Sequence, residues 1–416
     1  MLPAGASRRG PRPSTAGDKS RPARRRRRRA VFRGVAPPVV MNQDKATRLK
    51  VGGQAVLEGV MMRSPHSLAV AVRRANGEIV LREAPWRSLW ERLRFLRWPF
   101  FRGTVVLLES LVNGISALNF SARIAMADEE AAAAQAKTVP AGAVEANGGQ
   151  GAPGHQVDPS RVNEVSDWVI WGTVVLALGL GVALFVALPH LAVWLGSLVV
   201  GRELAVDEIA FHVIVGVVKL GVFLGYISLI SLMKDVRQVF MYHGAEHQSI
   251  YTYEAGQDLT VANARGHTPL HPRCGTTFLI MVIAVSILVF SLVFPVVIWL
   301  VGEPTGIGAV DQMIYIAIKL PLLLPIAGLA YEFQRLTSRF LHRKWARALA
   351  GPGMLVQKLT TRPPTDEQLE VALTSLRKTL WREQHGEEEV QPDEPGGDVE
   401  VFADFEAVRL RIPQVG

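Results

Sequence analysis

The sequence predicts a mainly α-helical integral membrane protein: about four transmembrane helices, a small cytoplasmic α+β portion and disordered termini. Three observations carry this. Apolar residues make up 49% of the 416, and the mean hydropathy of +0.20 is high for a soluble protein. The excess is concentrated in four runs, at roughly 168–188, 209–233, 276–301 and 312–333. Each is near the ~20 residues that cross a bilayer. Charge is also sorted between the connections. The first and second runs are joined through Arg202, Glu203 and Asp207, and the third and fourth through Glu303 and Asp311 without Lys or Arg. The 234–275 segment instead carries Lys234, Arg237, Arg265 and Arg273, and the stretch after the fourth run carries Arg335, Arg339, Arg343, Lys344 and Arg347. Cationic loops stay in the cytoplasm, so a multi-pass protein of the cell membrane is expected, with both termini and the 234–275 segment cytoplasmic.

Taken in order, residues 1–47 are rich in Pro, Arg and Ala and hold the unbroken run Arg24–Arg29. They read as a disordered basic tail. No apolar stretch follows the arginines, which excludes a secretory signal, and Met1 and Met41 are both candidate translation starts. Residues 48–102 form a cytoplasmic β-containing unit, in which two β-prone runs around Asn76-Gly77 predict a hairpin. Gly52-Gly53 and Gly59 are assigned to tight turns rather than to a phosphate cradle. From Arg87 to Arg102, arginines interleave with Trp90, Trp98, Phe100 and Phe101. This fits a membrane interface better than a nucleic-acid surface. Residues 103–127 are apolar but contain Glu109 and Asn113, so they are read as a re-entrant, interfacial or buried helix and not counted as a span. Residues 128–163 read as a flexible linker, and 164–348 as the membrane domain containing the polar site loop 234–275. In 349–385, Thr365 and Gln368 form a capping-box pattern after Pro363-Pro364, and Leu369, Leu373, Leu376 and Leu380 make one stripe. An amphipathic cytoplasmic helix packing on the protein's own domain is expected there. Residues 386–416 read as a disordered acidic tail.

The candidate chemistry lies at His243-Gly-Ala-Glu246-His247. On a helix, residues four apart share a face, so both imidazoles can turn to one metal ion, zinc first, with Glu246 beside them as general base. Tyr251, Tyr253, Glu254, Asp258, His267, His271, Arg273 and Cys274 crowd the same segment. A third ligand is open among Glu332, Cys274, His271 and Glu254. Glu332 is preferred because the fourth run returns to the same side there, and Cys274 with His271 is the next choice, since thiolate and imidazole both suit zinc. The plainer alternative is that the histidines cap carbonyls or pair with Glu246. The lone cysteine excludes an intramolecular disulfide.

The stretches VGGQAVLEGVMMRSP at 51–65, MYHGAEHQSIYTYE at 241–254 and HPRCGTTFL at 271–279, with the run ending in Tyr331-Glu332, resemble the YqhQ family of bacterial membrane proteins, also called domain of unknown function 1385. The resemblance spans roughly 48–383. It implies a multispanning membrane protein and a metal-dependent enzyme without a settled reaction. It carries His243, Glu246, His247, His271 and Cys274 as motif positions, together with Glu58 and Arg63. Those two either complete the site, if the N-terminal unit folds over it, or form a structural ion pair.

Three functions follow from these readings. The first is a metal-dependent hydrolase acting at the bilayer on a membrane or peptide substrate. The second is a non-enzymatic membrane assembly or insertion factor. The third is a transporter, which four spans and the absence of a repeat between halves disfavour.

Overall fold

The structure is a computed structural model that describes residues 49–89, 93–99, 101–138, 167–201, 208–302, 305, 308–385 and 399–414. The basic tail expected at 1–47, most of the expected linker and residues 386–398 lie outside the described residues.

Four strands open the described chain: β1 (Gly52–Val56), β2 (Gly59–Arg63), β3 (Ser67–Arg73) and β4 (Ile79–Pro85). Neighbours pair antiparallel in the order β1-β2-β3-β4-β5. The Asn-Gly hairpin forms where the sequence places it. Gly77 takes φ 94°, Arg74 N–H donates to Glu78 O at 2.9 Å and Asn76 Oδ1 accepts the Glu78 N–H at 3.1 Å. Gly59 serves a different purpose from the tight turn expected of it. The positive φ of the β1–β2 turn falls on Glu58, at 47°, whereas a Cβ on Gly59 would lie 2.3 Å from Ala71 O. That glycine permits close strand approach.

Both faces of this sheet are covered, which is why β3 reads as an almost unbroken apolar run. Helix α10 (Asp366–His385) lies on one face. Its predicted stripe is core, with Leu369, Leu373, Leu376 and Leu380 between 0% and 3% exposed against Val60, Met62, Ala71 and Leu81. Each such leucine contributes about 1.5–3 kcal/mol by burial. The capping box forms too: Thr365 N–H donates to Gln368 Oε1 at 3.0 Å, and Gln368 N–H returns to Thr365 Oγ1 at 3.4 Å.

The other face is covered by α1 (Phe101–Thr138), through Ala117, Phe120 and Ile124 against Val56, Val70 and Val80. The start of α1 crosses a long apolar helix, α8 (Gly308–Arg339), at a point where a Cβ on Gly103 would lie 2.7 Å from Gly328 O. The helix runs past the boundary expected at 127, so the first residues assigned to the linker are its last turns.

Between these layers run α2 (Asp167–Val182), continued by a π-helical turn (Ala183–Ala187) into α3 (Leu188–Val200), then α4 (Ile209–Ile230), α5 (Lys234–Ala255), α6 (Val261–Arg265), α7 (Gly275–Val301), α8 and α9 (Lys344–Thr360). Among the described residues, five helices are long and apolar enough to cross a membrane: Phe101–Ala133, Gly172–Val199, Ile209–Ile230, Gly275–Leu300 and Met313–Arg339. This is one more than the four expected. The addition is α1, whose Glu109 and Asn113 kept it out of the sequence count.

The expected disordered acidic tail needs correction as well. Strand β5 (Val399–Phe402) pairs with β4, matching Ile79 to Phe402 and Leu81 to Glu400. Helix α11 (Phe405–Arg411) then buries Phe405 and Val408 in the α10 face.

Candidate metal centre

Helix α4 ends at Ile230, the chain turns through Ser231–Met233, and α5 runs outward to pack on β1 and α10. The middle of α5 is buried from Gly244 to Ile250. Two glycines allow this. A Cβ on Gly244 would sit 2.2 Å from Arg362 O, so the extended chain after α9 lies flat on α5 and is tied there by Arg362 N–H to Phe240 O at 2.9 Å. A Cβ on Gly53 would sit 2.7 Å from Glu246 Cγ. Gly53 therefore lies in a strand and lets β1 approach the Glu246 side chain, a role different from the turn expected for it.

The two histidines are fixed by backbone carbonyls. His243 Nδ1 donates to Thr360 O at 2.9 Å, and His247 Nδ1 donates to Pro269 O at 2.5 Å. A carbonyl only accepts, so each neutral imidazole keeps its Nε2 lone pair. The rings stand 4.4 Å apart between centroids, as an i, i+4 pair on one face should. Cys274 meets them from the N-cap of α7, where Sγ accepts the Thr276 N–H at 3.4 Å and lies 3.1 Å from His243 Nε2. Among the described residues, His243, His247 and Cys274 present three ligand atoms within 4.8 Å of one another.

The other expected site residues are placed as follows. Glu246 is buried beside this group. Burial pushes its carboxyl up to about 7, and the nearby His243 imidazole and the Gly53 N–H offset only part of that. His271 is adjacent, its ring 5.5 Å from that of His247, but it faces Glu254 at 3.9 Å, and its Nδ1 accepts the Arg273 N–H at 3.3 Å. Burial pushes the His271 imidazole down to about 4. For Glu254, burial alone would raise the carboxyl, but the hydrogen bond from His271 and the charge of Arg273, with which it pairs, hold it at about 2. Glu332, the preferred third ligand by sequence, is taken by Arg102, whose Nε and Nη2 reach Oε1 at 2.9 and 2.7 Å. It is not part of the three-residue group. Glu58 lies at the β1–β2 turn and accepts from Tyr242 Oη at 3.3 Å. Arg63 stacks over Trp86 at 5.0 Å and faces the site cavity. Glu58 and Arg63 are therefore not an ion pair.

Sequence reasoning missed Gln357 and Gln334, which fix the loop carrying His271 and Cys274. Gln357 Oε1 accepts the His271 N–H at 2.8 Å, and its Nε2 donates to His271 O at 2.7 Å. Gln334 Nε2 donates to Cys274 O at 2.9 Å. Their signal was only that of polar residues within helices otherwise rich in apolar side chains.

His243, Glu246, His247, His271 and Cys274 line one cavity of about 510 Å³, closed by Gly53 and Arg63 of the sheet, Val106 and Leu107 of α1, Phe278 of α7 and Tyr331 of α8. A family model described as protein of unknown function (DUF1385) matches residues 98–382. The chain is also 30% identical over 342 residues to the uncharacterized protein YqhQ of Bacillus subtilis (strain 168), which covers 82% of this chain and 95% of that protein. The chain belongs to the DUF1385 family. No solved structure matches it. In this DUF1385 protein the matched stretch contains every ligand-type residue of the cavity, while the strands that close it precede residue 98.

Proposed function

We infer that this chain is a multi-pass protein of the cell membrane that holds a divalent metal ion, zinc first, and hydrolyses a membrane-borne or peptide substrate. The observation that carries the reading is the convergence of two carbonyl-anchored imidazoles and a thiol within 4.8 Å. The donor set fits. His243 and His247 would offer two nitrogens and Cys274 a sulfur, a set of three protein donors that would suit a catalytic rather than a structural zinc ion. Carbonyl partners on the remote ring nitrogens are the usual supporting shell of such ligands. When bound, the ion supplies Lewis-acid chemistry. Glu246, in the same cavity, takes a proton from the attacking water and returns it to the leaving group. Arg63 and the apolar wall from α1, α7 and α8 orient the substrate from the membrane side.

Membrane placement is supported by a parity argument. Strands β1–β4 precede the first apolar helix, and α10 and β5 follow the last, yet they share one sheet and core. The chain must therefore cross an even number of times between them. Helix α5 also packs on this sheet, so α2/α3 with α4 make one return crossing and α7 with α8 make another. Helix α1 is then the one that does not cross. Its second half lies on the sheet, and its exposed Phe101, Leu108 and Val112, with Trp98 just before it, suit the membrane surface. The Lys and Arg of the 234–275 segment and of α9 support a cytoplasmic side for the sheet, the site and both ends.

Elemental analysis of detergent-purified protein beside a His243→Ala/His247→Ala variant tests the metal. Stoichiometric zinc in the parent, absent from a folded variant, supports the reading. No metal in either after reloading overturns it in favour of a non-enzymatic assembly or insertion factor.

A further inference from the structure

Away from the metal centre, the four crossing helices enclose a second cluster. Lys319 of α8 is 2% exposed, and its Nζ donates to His190 Nε2 of α3 at 2.8 Å. His190 Nδ1 donates in turn to Val186 O at 2.8 Å, a carbonyl of the π-helical turn. With Nδ1 donating and Nε2 accepting, the His190 imidazole is neutral. The ring centroids of Phe294, Phe211 and Phe290 stand 4.4, 5.1 and 5.5 Å from the Lys319 Nζ. Such a cage favours a cation. Beside it lies a void of about 10 Å³ lined by Lys219 of α4, His212 and Ser286 as well as His190 and Lys319. That is the room one water-sized species needs.

Among the described residues, no carboxylate lines this void. The spans Gly172–Val199, Ile209–Ile230 and Gly275–Leu300 contain no Asp or Glu, and the single acid of Met313–Arg339, Glu332, pairs with Arg102. Two ammonium groups facing one void in an apolar bundle need a counter-charge. The polar groups lining it among the described residues are amine, imidazole or hydroxyl, beside Val215, Ile287 and Phe290. We propose that this void is a binding site for a monatomic anion, chloride or bromide, held between Lys319 and Lys219. The π-helical turn contributes by freeing Val186 O to fix His190, and a widened turn of this kind recurs at functional sites.

The test is equilibrium binding of radiolabelled chloride to the full-length protein in detergent. Saturable, stoichiometric binding, displaced by bromide but not by gluconate and weakened at least tenfold in Lys319→Met and Lys219→Met, is the expected result. Should a variant not fold, the parent alone decides: its unfolding temperature should rise with the logarithm of chloride concentration above a gluconate control of equal ionic strength. No saturable binding, or a halide curve identical to gluconate, overturns the proposal and leaves two uncharged amines. Metal content at His243 and Cys274 should be the same in parent and variants, which keeps the two sites separable.

Discussion

Gly244→Ala puts the described architecture under a sharp test, because it touches no ligand atom. The added Cβ would lie 2.2 Å from Arg362 O. A relaxed carbon–oxygen contact is about 3.3 Å or more, so α5 and the chain after α9 must separate by about 1 Å. Neither side can rotate away, since both are backbone. The separation strains two hydrogen bonds, Arg362 N–H to Phe240 O and His243 Nδ1 to Thr360 O, both 2.9 Å long. Overpacking with the loss of those bonds should cost about 2–4 kcal/mol. Releasing the carbonyl that orients His243 should weaken metal affinity about 10–100-fold. Thermal unfolding in detergent, with and without chelator, reads the first quantity, and titration against a chelating metal indicator reads the second. Parental stability together with parental affinity would refute the close contact and the orienting role of Thr360. The stability arm holds whether or not a metal is bound.

Further outcomes separate the remaining features. Cys274→Ser should lose metal and Glu332→Gln should keep it, by elemental analysis, because Glu332 is taken by Arg102. Leu373→Ala, at a fully buried position of the α10 stripe, should cost about 2–5 kcal/mol in urea unfolding of the sheet core. Glu254 has a carboxyl at about 2 against an ordinary 4.5. A depressed carboxyl contributes stability above its unfolded value, and this is lost as pH falls from about 5 towards 2. Glu254→Gln should therefore flatten the acid limb of a stability–pH curve, and an unchanged limb would remove the pair with Arg273 from the account. Truncation after His385 removes β5 and α11 and bares the β4 edge, so aggregation by light scattering should rise.

Much of this was legible. The crossing helices declared themselves by length and hydropathy, the hairpin by Asn76-Gly77, and α10 by its capping box and leucine spacing. His243 and His247 were readable from their i, i+4 spacing, because helix geometry alone brings them together. The third partner was not. Whether Cys274 or Glu332 faces the histidines depends on which side chain another helix has already engaged, and Arg102 lies 230 residues from Glu332 in sequence. Helix α1 was ambiguous because one helix serves two environments, so neither its apolar content nor its polar residues describe it alone. The C-terminal strand was hidden by composition: Phe402, Phe405, Val408 and Ile412 are spaced for one buried face, but acidic neighbours masked them.

The split sheet also bears on how the chain is made. Strands β1–β4 emerge early, whereas α10 begins at Asp366, about 280 residues after Pro85. At about 5–20 residues per second, some 15–60 s pass between them. Helix α1 follows β4 directly and can shelter one side of the nascent sheet at once. The other side has no cover until the long apolar helices and α9 have been made and α10 follows. The sheet unit is thus an assembly checkpoint: it closes only when α10 meets β1–β4, and a chain in which the two parts fail to meet would display an open apolar sheet to the quality-control proteases.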